Sequence, residues 1–273
     1  MDLFPPGFPV WLAALLGAWL VIGAGVYFSL AQMVYREGGK VGVAAFGQPD
    51  FILCLIFLLW FGTAIVNGFS GPEHDLTQKD LIRGGVGYLG ILIFIGGFLH
   101  YRNIDPFRQF GITRRTPLAC VAFAIGLLIA ACPLVSLAGR LTELALSGKS
   151  KPQNIVEFFL NASEASHRGT VCLTMLLGCI VAPAAEEIIF RGYLYGVLKR
   201  CAGLVPAAIV SAAVFAAMHV SLSSLPALFL LALCFTVAYE ATGSLLVNIL
   251  MHSFFNLLNF LVIIGVAHHQ ILK

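Results

Sequence analysis

Three features of the chain predict an all-α, polytopic membrane protein of about eight transmembrane helices. The 273 residues are 59% hydrophobic and only 11% charged, with a mean hydropathy of +0.94, whereas a soluble domain carries about 25% charged residues. Apolar runs of about 20 residues, the length that crosses a bilayer core, recur from one end of the chain to the other. The stretches between them are short, charged and punctuated by Gly and Pro, and none is long enough to bury a core of its own. A single membrane domain follows.

The first run, residues 9–33, follows "MDLFPPGFPVW", which has no basic leader, and it is too long for a signal-peptide core; it reads as a first membrane helix. The next three runs, 51–70, 82–101 and 117–138, are separated by "YREGGK", "GPEHDLTQKD" and "YRNIDPFRQFGITRRTP". After "GRLTELALSGKSKPQ", residues 149–168 are polar to amphipathic and read as an interfacial segment. Four more runs follow at 170–190, 203–220, 225–240 and 244–266, of which 225–240 is the shortest. No internal repeat or low-complexity tract is visible.

A net charge of +3 with no basic stripe of interleaved aromatics argues against a nucleic-acid partner. The seven cysteines form no C-x-x-C pair and mostly sit inside apolar runs, so they read as small buried hydrophobes. The loops after the odd-numbered helices hold Arg36, Lys40, Arg102, Arg108, Arg114, Arg115, Lys199 and Arg200, and seven basic residues fall on the other side. Four of those seven belong to the one long loop, so the positive-inside rule leans towards both termini outside.

Against this apolar background, "APAAEEIIFRG" (182–192) places Glu186, Glu187 and Arg191 at membrane depth, where a charge costs at least about 2.5–3.5 kcal/mol. Two further runs add His219, with Phe215 four residues before it, and His252, with Asn256 four residues after it. Singly, a histidine or asparagine in such a helix is as well explained by packing and helix–helix hydrogen bonding as by chemistry. Together they are not scattered. At about 1.5 Å per residue, Glu186 and His219 lie roughly 22 and 27 Å from the turn near residue 201. By the same rule His252 and Asn256 lie roughly 13 and 20 Å from the turn near Gly243.

Three helices therefore bring polar groups to overlapping depths, which points to a shared intramembrane site. Glu187 and Arg191, four residues apart, pair along one face. Glu186, rotated by one residue, is left to face a cavity. Beside His219 it suits a general base that deprotonates water, and His252 and Asn256 suit hydrogen bonding to an oxyanion. Those parts describe hydrolysis of an amide or related acyl bond without a cofactor. A metal-dependent version uses Glu186, His219 and His252 as three zinc ligands, with the fourth position for water; the H-E-x-x-H signature is absent.

These residues resemble the motifs of the CPBP family, the type II CAAX prenyl endopeptidases and their bacteriocin-processing (ABI) relatives. "EEIIFR" corresponds to E-E-x-x-x-R, "FAAMH" to F-x-x-x-H and "HSFFN" to H-x-x-x-N, in that order. The likeness covers roughly residues 170–260; a basic stretch resembling "FRQFGITRRTP" also precedes the family core. It implies an eight-helix intramembrane glutamic endopeptidase in a bacterial plasma membrane, with its cavity open to the cytosol. The core would be 169–266, behind variable helices over 1–168. Glu186 and His219 would activate water, His252 and Asn256 would form the oxyanion site, and Glu187, Arg191 and Phe215 would support them. The implied partners are membrane lipids and a peptide or lipidated-protein substrate, prenylated or not. A non-catalytic immunity or scaffold protein of the same fold, and a transporter relaying protons through the same residues, are the readings from other classes.

Overall fold

The computed structural model describes residues 7–71, 76–146, 158–160 and 168–271, with side chains as far as 265. Among these residues the chain is helical throughout, with no strand. The helices are α1 (Val10–Glu37), α2 (Gln48–Ser70), α3 (Gln78–Tyr101), the short α4 (Pro106–Gln109) and α5 (Pro117–Ala145). They continue with α6 (Arg168–Ala202), α7 (Leu204–Ala217), α8 (Leu225–Thr242) and α9 (Leu245–Ile271). All eight predicted runs are helical, but only seven are long and apolar enough to cross a bilayer. The exception is not 225–240 but the run predicted at 203–220. Its helix has 14 residues, about 21 Å of rise, because Gly203 opens it at φ +86° and the chain turns at Val220, φ +48°. Of the predicted interfacial segment 149–168, only 158–160 and Arg168 are described, and both are helical.

Helix direction alternates, so the links at 38–47, 102–116, 203 and 243–244 share one face, and both chain ends share the other. The helices differ in how far they are wrapped. In α1 and α3, 11% of the most apolar window is buried, against 56% in α8. Trp11, Ile22, Phe28, Leu59 and Ile93 lie exposed on α1–α3, a lipid-facing belt. α6 and α8 run through the interior, with α1 packed on α5, α3 on α6, and α9 against both α5 and α6.

The basic residues of the link face work inside the molecule. α8 ends at Gly243 in the left-handed conformation (φ +68°), leaving its last carbonyls without helical partners. Lys40 Nζ donates to Ala241 O at 2.7 Å and Arg115 Nε to Thr242 O at 3.0 Å. Cations at a helix C-terminus also meet the negative end of its dipole. Beneath them, the buried Glu240 carboxylate accepts from Lys199 Nζ (2.5 Å), Tyr195 Oη (2.6 Å) and the Val41 amide (3.1 Å). Asp50, fully buried at the start of α2, is held by Arg102 and by the Gly47 amide at 2.7 Å. Both carboxylates had no sequence signal, since each sits at a helix end that reads as solvated.

All seven cysteines are free thiols; five are buried or half-buried, and Cys172 and Cys201 are exposed. Breaking a buried pair from one side leaves an uncompensated charge, at a cost of about 3–5 kcal/mol. Glu240→Ala and Lys199→Ala should therefore each lower the unfolding temperature in detergent markedly. The double variant should lose less than the sum, and thermal scans of all three check it.

Candidate active site

The site is built on a break in α6. Residues Leu177–Val181 and Glu187–Leu194 adopt the wider π-helical register, flanking the short α-helical stretch Ala182–Glu186. Such π turns are rare and cluster at functional sites. In this register each N–H bonds to the carbonyl five residues back, as the Ala182 amide does to Leu177 O. The next donor would be residue 183, aimed at Gly178 O. Residue 183 is proline and has no N–H. The stranded Gly178 carbonyl instead accepts from Asn256 Nδ2 of α9, at 2.8 Å.

Immediately after this break, the two glutamates point to different surroundings. Glu187 is fully buried. Its Oε1 accepts from Arg191 Nη1 at 3.0 Å and from His252 Nδ1 at 2.9 Å, and its Oε2 accepts from Asn248 Nδ2 at 3.4 Å. Arg191 is fully buried too; its guanidinium lies 4.1 Å over the Phe215 ring and 5.2 Å from that of Phe235. An aromatic face is favourable for a cation taken out of water. Phe215 also stands edge-on to His252, with ring centroids 5.8 Å apart, and packs on His219 at 4.9 Å.

Glu186 faces the other way, into a cavity of about 690 Å³ lined also by Tyr88, His219, His252 and Asn256. Its Oε1 accepts from Tyr88 Oη at 2.5 Å, and its Oε2 lies 3.8 Å from His252 Nε2. The partners determine the histidine tautomers. His252 Nδ1 meets a carboxylate, so it carries the proton and leaves Nε2 to the cavity. His219 Nδ1 donates to Phe215 O at 2.9 Å, so its Nε2 is the lone-pair nitrogen of the neutral ring. The cavity thus holds a carboxylate oxygen, two imidazole Nε2 edges and a primary amide. Asn256 has two amide hydrogens, one taken by Gly178 and one left over. The three residues of the zinc alternative, Glu186, His219 and His252, share this cavity. Among the described residues, however, no group of three or more His, Cys, Asp and Glu side chains is gathered closely enough to hold a metal ion.

All seven residues singled out in the sequence come together here. Two that were not are Asn248 and Tyr88. Asn248 lies one turn before His252 on the same face of α9 and also donates to Phe235 O at 2.8 Å, so its spacing was a usable signal. Tyr88 had none: a tyrosine among glycines in a lipid-facing helix reads as an interfacial anchor. The cavity lining continues to Asp80 in the first turn of α3 and to Ser223 and Ser224 in the turn before α8. Those residues lie at the face that carries both chain ends. A cavity open to the cytosol and both termini outside are therefore incompatible expectations for this fold, and the loop charges that favoured the second are partly occupied in capping α8.

If Asn256 covers the carbonyl that Pro183 strands, Asn256→Ala should lose stability in the native background and much less in a Pro183→Ala background, where an N–H returns. A double-variant cycle of unfolding temperatures measures this coupling.

No curated protein and no solved structure matches the chain. Residues 168–258, which supply Glu186, His219, His252 and Asn256, match the family model of the Type II CAAX prenyl endopeptidase Rce1-like proteins, and over that segment the chain is similar to them.

Proposed function

We propose that the protein is a glutamate-dependent intramembrane endopeptidase that cleaves a membrane-associated peptide or lipidated protein, without a metal. The family match supports CAAX-type intramembrane endopeptidase activity in general. The observation that carries the finer reading is the division of the glutamate pair. Glu187 is buried and bound by three donors, while Glu186 presents Oε2 to a cavity shared with two imidazole edges and an amide.

In this reading a water held between Glu186 Oε2 and His219 Nε2 gives up a proton to the carboxylate. The hydroxide adds to the scissile carbonyl carbon. The carbonyl oxygen gathers negative charge and accepts from the second Asn256 amide hydrogen and from His252 Nε2, to which Glu186 Oε2 hands on the proton taken from water. Glu187 accepts from the opposite ring nitrogen of His252 at 2.9 Å and so holds the ring with Nε2 towards the cavity in this step. As the tetrahedral species collapses, the proton passes to the departing nitrogen, and both products leave neutral at the cut bond before ionising. Apolar walls from Val135, Leu228, Leu231, Phe260 and Ile263 suit a substrate with an aliphatic or prenyl portion. The proposed entry is from the face that carries the chain ends.

Glu186→Gln preserves shape and removes the base, so turnover of a lipidated reporter peptide should fall at least about 10²-fold with an unchanged unfolding temperature. Retained cleavage would rule this mechanism out, and a biological role that survives Glu186→Gln would favour the scaffold reading. Turnover should persist in a strong chelator; loss on chelation with recovery on adding zinc would favour the metal-dependent alternative. Asn256→Ala should remain slow even in the Pro183→Ala background, because restoring the backbone partner does not restore the oxyanion donor.

A further inference from the structure

Tyr88 stands outside the segment that matches the family model, on a helix whose outer face is exposed and apolar, yet its hydroxyl donates to the cavity carboxylate at 2.5 Å. We propose that Tyr88 is a positioning residue that assigns different tasks to the two oxygens of Glu186. This rests on the reading that Glu186 takes the proton from water. The phenol donates to Oε1 at 2.5 Å. An ionised carboxylate only accepts, so this bond fixes the carboxylate plane and occupies Oε1. Oε2, the oxygen on the side of His252, becomes the one that receives the proton. After it does so, Tyr88 still has an acceptor in Oε1, so the geometry survives the proton transfer.

The position of α3 is arranged for that contact. Gly85, one turn before Tyr88 on the same face, lies against α6 so closely that a Cβ there would stand 3.0 Å from Leu177 Cδ2. This approach brings a short, stiff side chain within reach of Glu186. It does so just beyond the first π stretch, where α6 lacks an intrahelical partner for Gly178 O. Glu186 has neighbouring charged groups on its own helix in Glu187 and Arg191 and, from α9, His252; α3 contributes only the neutral phenol at this depth. Orientation rather than charge is therefore what Tyr88 supplies.

The experiment compares wild type, Tyr88→Phe and Glu186→Gln in detergent or proteoliposomes, using farnesylated and unmodified reporter peptides and recording kcat, KM and unfolding temperature. Tyr88→Phe keeps the ring and removes the donor. The expected result is a kcat lower by about tenfold or more, the scale of a hydrogen bond to a charged group, with KM within about twofold and the unfolding temperature unchanged. A kcat within about twofold of wild type overturns the proposal, as does a fall in kcat that only accompanies a fall in unfolding temperature. Turnover retained in Glu186→Gln removes Glu186 as the base, no cleavage by the wild type removes the enzymatic reading, and either result removes this role with it. In that case a stability cycle on Tyr88→Phe and Glu186→Ala still reads the contact alone, and strictly additive costs show that the hydrogen bond itself contributes nothing.

Discussion

The interaction on which the interior depends is the buried Glu187 carboxylate. An isolated carboxylate has no tolerable place among helices packed in lipid, and here it is matched by Arg191, His252 and Asn248. Each partner brings something else with it. Arg191 draws Phe215 of α7 and Phe235 of α8 onto its guanidinium faces. Asn248 ties α9 to the α8 backbone at Phe235 O. His252 is turned so that its other nitrogen faces the cavity. One charge thus holds four helices in register and orients a site residue. Because buried ionic groups gain little net stability against an apolar replacement, the benefit of this arrangement lies in geometry.

A second constraint runs through the whole chain. In a bilayer no water is at hand for a backbone carbonyl that loses its helical partner. Pro133 inside α5 removes the donor that Ile129 O would have used, and Trp19 Nε1 of α1 donates to that oxygen at 2.9 Å. Gly23 of α1 permits the approach, since a Cβ there would collide with Ala130 O. Pro183, Gly178 O and Asn256 repeat the solution at the site. The helix break that aims Glu186 into the cavity is thereby also an attachment point between α6 and α9. The open αL end of α8 is met in the same way, by Lys40 and Arg115 from the links.

That last use of charge bears on how loop charges are counted for orientation. Lys40 and Arg115 meet carbonyls, Lys199 meets Glu240 and Arg102 meets Asp50, so a share of the positive residues answers to the fold rather than to the membrane potential or lipid surface. The short α7 has a similar lesson. Residues 203–220 look as apolar as a full span, but Gly203 and the turn at Val220 end the helix early. His219 reaches the cavity from the turn just past the end of this short helix.

Hydropathy, run length and i, i+4 spacing are local properties of a linear chain, and they sufficed for the all-α membrane class, the eight helical runs, the Glu187–Arg191 pair and the shortlist of polar groups at overlapping depth. What tertiary structure decided were the partnerships between helices distant in sequence. Examples are His252 with Glu187, 65 residues apart, and Tyr88 with Glu186, 98 apart. It also decided the burial of Asp50 and Glu240, the face to which the cavity leads, and the π register that frees Gly178 O for Asn256. The physical reason is common to all of them. A hydrogen bond or ion pair is directional and short-ranged, so it depends on which helices are neighbours and how each is rotated, and that is settled only when all of them pack at once.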